Sequence, residues 1–265
     1  MAPEKKPMTN FVEVTELAGD EVAGEQVDRV HTRYAWALGH SMGKDVLEVA
    51  CGTGPGLGLL KSSARSLVAG DISDEILQRA RAHYGDRIDI RRMDAMDLPF
   101  ADQSLDVVII FEALYYVPNA ERFAAECARV LRPGGKVLVS NANKDLFDFN
   151  ASPHSQVYHG VVELGQLFGK QGFSTEFWGD VPVAALSWRQ KILRPIKTVV
   201  VSLGLMPKSM AGKKLLKRLV FGEMQAFPRE ILANAAIQAN RLVKLQAGLP
   251  DRLHKVVLCK ATLPQ

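Results

Sequence analysis

The chain has 265 residues, 47% of them hydrophobic and 23% charged, with a formal net charge of +4. This length and balance suit one or two globular domains with a full-sized core. No apolar run approaches the roughly 18–20 residues that span a bilayer, the first twenty residues lack the apolar stretch of a signal peptide, and the three scattered cysteines (Cys51, Cys127, Cys259) suggest neither a disulfide framework nor a zinc site. A cytoplasmic location is the expectation.

Residues 1–20 mix charged and small side chains and read as a partly ordered arm. From there strand-like and helix-like segments alternate, the signature of an α/β, doubly wound parallel sheet. A helix is predicted over 30–41, a strand over 45–50, a helix over 56–63 and a strand over 66–71. Ser73 caps a helix that runs to residue 83. Strands follow over 88–92 and 105–111, the second apolar throughout, as a central strand buried on both faces requires. A helix over 120–131, a turn at Arg132-Pro133-Gly134-Gly135 and a strand over 136–140 come next. The pattern closes with a helix over 161–172 and strands over 173–178 and 255–262.

About seventy residues separate these last two strands. Between Asp180 and Glu223 there is no acidic residue, while Arg189, Lys191, Arg194, Lys197, Lys208, Lys213, Lys214, Lys217 and Arg218 are all basic, which leaves the rest of the chain net negative. Such a segment points to one particular anionic partner. Its cations are interleaved with Ile, Leu and Val, as in helices that lie on anionic membranes or cover an apolar pocket. A lipid-linked or phosphorylated acceptor, with peripheral membrane association, is one reading; a solvated lid face or a homodimer contact is the other. Aromatics for base stacking are sparse there, which disfavours nucleic acid. The expected division is an arm over 1–28, a core over 29–182, a basic helical insertion or lid over 183–253 and a final core strand over 254–265.

Chemistry concentrates where the first core strand meets Ala50-Cys51-Gly52-Thr53-Gly54-Pro55-Gly56. Glycine has no Cβ and tolerates φ > 0, so this turn lets backbone approach a nucleoside-sized cofactor. A nicotinamide fingerprint of the form G-x-G-x-x-G fails here, because positions 57 and 59 are both Leu. Three further elements follow in order: Asp71 after Val68-Ala69-Gly70, then Met93-Asp94-Ala95-Met96-Asp97-Leu98-Pro99-Phe100, then Leu131-Arg132-Pro133-Gly134-Gly135.

With Glu48-Val49-Ala50-Cys51-Gly52-Thr53-Gly54, these elements resemble the class I S-adenosylmethionine-dependent methyltransferases of small-molecule type, over about residues 30–180 and the final strand. The resemblance implies a Rossmann-like seven-stranded sheet, mostly parallel with an antiparallel last strand, and a helical insertion between the sixth and seventh strands. It implies S-adenosylmethionine as cofactor and S-adenosylhomocysteine as product. Asp71 would accept hydrogen bonds from both ribose hydroxyls, with Ile72 beside it. Asp94 would take the adenine amino group and the Ala95 amide a ring nitrogen, next to Met93. Phe111 and Glu112 would offer a carbonyl to the methionine ammonium, and Glu48, Ala50, Gly52 and Gly54 would border the methionine side. Tyr34 would close over the sulfonium by a cation–π contact of about 1–2 kcal/mol; core packing is the plainer role for Tyr34 and Trp36.

An oxygen nucleophile also needs its proton removed, most easily by histidine. His154 and His159 are the candidate bases, and Tyr115, Tyr116 and Tyr158 the candidate acceptor wall. The Asn/Asp-Pro-Pro-aromatic motif of base and glutamine amino methyltransferases is replaced by Phe111-Glu112-Ala113-Leu114, which disfavours those acceptors. No metal site is expected. The expected activity is methyl transfer to an oxygen or nitrogen of a small molecule, sugar-containing or a secondary metabolite. A non-catalytic module that binds the same cofactor is the alternative from another class.

Overall fold

The computed structural model describes residue 15 and residues 17–152, 154–183, 224–232 and 239–265. A short strand β1 (Glu21–Ala23) leads into helix α1 (Gly24–Ser41). The alternating core then runs β2 (Asp45–Val49), α2 (Leu57–Lys61), β3 (Ser66–Asp71), α3 (Asp74–Tyr84), β4 (Asp89–Arg92), β5 (Leu105–Phe111), α4 (Ala120–Val130), β6 (Leu131–Ala142), α5 (Val161–Gly169) and β7 (Ser174–Pro182). Strands β8 (Met224–Ala226), β9 (Val243–Leu245) and β10 (His254–Thr262) complete the described chain.

The main sheet has the order β4-β3-β2-β5-β6-β10-β7-β9. Strands β2 to β6 pair in parallel, and β10 runs antiparallel between β6 and β7. The sheet has eight strands where seven were expected, because β9, within the expected insertion, adds an antiparallel edge to β7. In a strand successive side chains face opposite sides, and β5 shows the consequence. Val108 and Ile110 enter the core layer under α4 and α5 with Phe123, Cys127 and Phe168, whereas Val107, Ile109 and Phe111 enter the layer under α1, α2 and α3 with Val30, Tyr34, Leu57 and Leu77. Ser73 caps α3 through its hydroxyl and Asn119 caps α4 through its amide oxygen.

Two predicted elements start well away from where they are expected. Helix α1 starts at Gly24 rather than at residue 30. Its first turns carry Gln26, Asp28 and Arg29 around a buried Val27, so the apolar stripe that marks a helix in sequence is interrupted. Strand β6 begins at Leu131 and runs through the predicted turn at 132–135, since Leu131 already pairs with Leu105 across a register shift.

The stretch expected as a helical insertion contributes strands where it is described. Strand β8 pairs with β1 in a separate two-stranded sheet. Asn240 ties the return leg to the core, its backbone N–H donating to Thr32 Oγ1 and its amide to Asp180, each at 2.8 Å. The basic residues from Arg189 to Arg218, and Trp188, lie outside the described residues. Among the described residues no helix is long and apolar enough to cross a membrane.

Candidate active site

A cavity of about 720 Å³ opens at the carboxyl ends of β2, β3 and β5, where ligands bind in open α/β sheets. Its floor is the turn after β2. Ala50 and Gly52 both take positive φ, 54° and 59°, and the Gly52 N–H donates to Asp71 Oδ2 at 3.0 Å. Gly56 is required for a different reason: a Cβ there would lie 2.1 Å from the Tyr34 ring, so α1 can cover the turn only if that position lacks a side chain. Gly54 sits behind the wall, its carbonyl accepting from the Tyr84 hydroxyl at 2.5 Å.

Asp71 ends β3, buried, with Oδ1 accepting from the Ser73 N–H at 3.0 Å. Burial pushes its pKa up, and the N–H groups of Ser73, Gly52 and Ile72 pull the other way. Beyond it Ile72, Met93, Asp94 and Ala95 line the same end. Asp94 Oδ1 accepts from the Met96 N–H at 2.8 Å, which fixes the loop. Asp97 is exposed and does not line the cavity.

Glu48 is the buried carboxylate of β2. Period-two alternation turns it toward α1, where Oε1 accepts from the Tyr34 hydroxyl at 2.5 Å. Its other oxygen, Oε2, is buried with no partner. Burial raises the Glu48 pKa from 4.5 to about 7, against the pull of Tyr34 and Arg33. A buried acceptor left unpaired is costly, and here it stands in a cavity wall. The Tyr34 phenol is held well above its usual pKa, by burial first and by Glu48 second, so it remains a donor.

The opposite end is formed past β5. Glu112 takes φ 50°, a conformation that a non-glycine residue holds at a cost and that clusters at functional sites. Its oxygens accept from Ser140 Oγ at 3.0 Å and the Tyr115 hydroxyl at 3.2 Å. Phe111, Glu112, Tyr115 and Tyr116 line the cavity. Tyr158 does not line it; it stacks on Tyr115 with ring centroids 4.4 Å apart. Neither His154 nor His159 lines the cavity. His159 is partly buried, with Nδ1 unpaired, and burial lowers its pKa.

Two parts of the wall were not singled out from the sequence. Gln26, Arg29 and Arg33 project into the cavity from one face of α1. Their i, i+3, i+7 spacing is the available signal, but the apolar pattern starts the helix at residue 30, after Gln26 and Arg29. The second part is Phe227, buried at the cavity edge. It belongs to a strap whose ladder with residues 19–20 and whose Ile231 N–H bond to the Pro55 carbonyl at 2.7 Å carry it across the glycine turn. Glu230 fastens the strap to α3 and the turn after it, reaching His83 Nε2 at 2.6 Å and Arg87 at 3.0 Å. No short motif announces a residue so distant in the chain.

Among the described residues no group of three or more His, Cys, Asp or Glu side chains is placed to hold a metal ion. Residues 47–139 match the family model described as a methyltransferase domain. The chain is 33% identical over 178 residues to a protein of Mycolicibacterium smegmatis named a probable S-adenosylmethionine-dependent methyltransferase, an overlap of 66% of this chain and 68% of that one. It is 32% identical over 123 residues to the 27-O-demethylrifamycin SV methyltransferase of Amycolatopsis mediterranei, covering 44% of this chain and 45% of that one. A solved S-adenosylmethionine-dependent methyltransferase from Thermotoga maritima superposes with a TM-score of 0.56 over 90% of both chains at 13% identity, a likeness of fold alone. With the sheet order, the glycine turn and the acid that ends β3, these matches establish that the chain belongs to the class I S-adenosylmethionine-dependent methyltransferases, with S-adenosylmethionine as its cofactor.

Proposed function

We propose that the chain transfers a methyl group from S-adenosylmethionine to an oxygen or nitrogen of a small molecule held against Tyr115 and Tyr116. The observation that carries this reading is one cavity lined both by the carboxylates that suit the cofactor and by two tyrosines past β5. Asp71, Asp94 and Glu48 line it along β2 to β4, and Tyr115 and Tyr116 line it past the end of β5.

Asp71 has the position and charge to accept from the ribose hydroxyls, and its own bonds to Gly52 and Ser73 N–H groups hold the carboxylate in place. Asp94 and Ala95, between Ile72 and Met93, suit adenine. Glu48 Oε2 is an unpaired buried acceptor of the kind an ammonium satisfies. Arg33 stands on the same side. Its guanidinium lies 5.7 Å from the Tyr34 ring centre and 6.0 Å from that of Phe111, and its Nε is buried without a partner, which suits the methionine carboxylate.

The cofactor supplies a methyl group on positively charged sulfur, already activated toward a nucleophile. The residues of the chain then have three tasks: to align the acceptor lone pair behind that methyl, to exclude water and to receive a proton if one is released. Alignment alone supplies several kcal/mol, about 7–11 in favourable cases. Phe227 and its strap exclude water over the turn. The Tyr115 phenol stays protonated, because burial first and Glu112 second raise its pKa. Its one O–H is given to Glu112, so it packs against the acceptor and does not act as a base.

Calorimetry with S-adenosylhomocysteine, followed by turnover with labelled S-adenosylmethionine and a panel of hydroxyl and amino acceptors, tests the proposal. Binding with label transferred to an acceptor supports it. Binding with no transfer to any acceptor favours the non-catalytic module.

A further inference from the structure

We infer that the acceptor of this methyltransferase carries an oxyanion, a carboxylate or a phosphate, and that Arg29 binds it. The inference rests on the methyltransferase reading and extends it to the substrate class.

Arg29 and Arg33 both line the cavity one helical turn apart on α1. Two cations at i and i+4 repel each other and weaken a helix by about 0.2–0.5 kcal/mol. Among the described residues neither forms an ion pair or a hydrogen bond; Glu48 acts on Arg33, and Asp180 on Arg29, only through the field. The acids that might have paired with Arg29 are committed elsewhere. Glu25, one turn earlier on α1, is held by Lys255 at 2.7 Å. Asp180, whose field reaches Arg29 from β7, accepts from Asn240 at 2.8 Å and from the Val181 N–H at 2.8 Å. Among the described residues, two guanidinium groups therefore face one cavity with no carboxylate in direct contact with either.

The cofactor brings a single carboxylate. Arg33 has the better claim on it, standing beside Glu48, Tyr34 and Phe111. Arg29 lies four residues back along the helix, about 6 Å at 1.5 Å per residue, toward the strap and the end of β7. It remains without an anion when the cofactor is bound. A guanidinium offers a planar fork matched to carboxylate and phosphate. Gln26, at i−3 on the same face of α1, also lines the cavity and adds a neutral donor. An acceptor with an oxyanion at this position would neutralise Arg29 and anchor itself with its nucleophile toward the tyrosine end.

The test uses calorimetry on the full chain. S-adenosylhomocysteine and 5′-methylthioadenosine are titrated first, the second being the same nucleoside without the amino-acid tail. Arg33→Gln is expected to weaken S-adenosylhomocysteine by about tenfold, or about 1.4 kcal/mol, and to leave methylthioadenosine unchanged; Arg29→Gln is expected to change neither. The S-adenosylhomocysteine complex is then titrated with benzoate, phenyl phosphate and phenol. At least one anion is expected to bind about tenfold tighter than phenol to wild type, the preferred anion naming the oxyanion. Arg29→Gln should abolish that preference, and Arg29→Lys should keep part of it. Absence of any anion preference in wild type, or its survival in Arg29→Gln, overturns the inference. So does a loss of S-adenosylhomocysteine affinity in Arg29→Gln equal to that in Arg33→Gln, since both arginines would then serve the cofactor. Wild type that fails to bind S-adenosylhomocysteine overturns the methyltransferase reading itself, a result separate from these.

Discussion

Glu48→Gln separates the charge of Glu48 from its shape. Its folded pKa, about 7, lies above its ordinary 4.5. The folded chain therefore holds a proton that the unfolded chain has released, and stability falls as pH rises from about 4.5 through about 7. At about 1.36 kcal/mol per pKa unit, the loss between pH 5 and pH 8 is about 2–3 kcal/mol from this group alone. Glutamine keeps an acceptor for the Tyr34 hydroxyl and cannot ionise. Its unpaired amide N–H adds a fixed cost of about 1–3 kcal/mol that does not vary with pH. Urea unfolding of both proteins without cofactor, at pH 5 and pH 8, should show the variant gaining about 2–3 kcal/mol on wild type over that range, since the other titrating groups are common to both. Saturating S-adenosylhomocysteine should shrink the divergence, because an ammonium at Oε2 favours the charged carboxylate. Parallel pH profiles for the two proteins would refute the assignment of a buried carboxylate with one oxygen unpaired in the free chain.

Other consequences follow from the same geometry. Asp71→Ala should weaken S-adenosylhomocysteine binding at least about tenfold by calorimetry; unchanged affinity would remove Asp71 from the ribose. His154→Ala and His159→Ala, tested separately, should keep turnover within about threefold of wild type, since neither side chain lines the cavity and general bases contribute about 10²–10⁴-fold where they act; a loss of that size with intact cofactor affinity would return the base to a histidine. Glu230→Gln should loosen the strap from His83 and Arg87 and speed dissociation of S-adenosylhomocysteine in stopped-flow; an unchanged rate would mean that the strap does not cover the ligand.

The sequence alone was enough to place the alternating core, the turn after β2 and the acid after β3. These are local signals: an apolar strand feeding glycines at 52, 54 and 56, a carboxylate where a strand stops, a serine where a helix starts. Period-two and period-3.6 patterns carry such information because each side chain's exposure is set by its own element. Two conflicts hid the rest. Gln26 and Arg29 are polar because they face a cavity rather than solvent, and in a sequence this looks like the end of a helix. Glu176 and the glycine of Gly179, next to Trp178 on β7, give no sign that Val243–Leu245 will pair there and add an eighth strand.

What the tertiary structure decided was which distant groups meet. Phe227 reaches the glycine turn only because β8 pairs with β1 and Ile231 bonds to Pro55. The unpaired oxygen of Glu48, and the lack of an ion pair at Arg29 among the described residues, are properties of a cavity assembled from α1, β2, β5 and the strap together. His154 and His159 have the chemistry of a base in sequence, and only the folded chain shows that neither lines the cavity. Residue type and periodicity determine which groups are available and on which element; burial and pairing depend on what the rest of the chain brings beside them, and no local pattern encodes that.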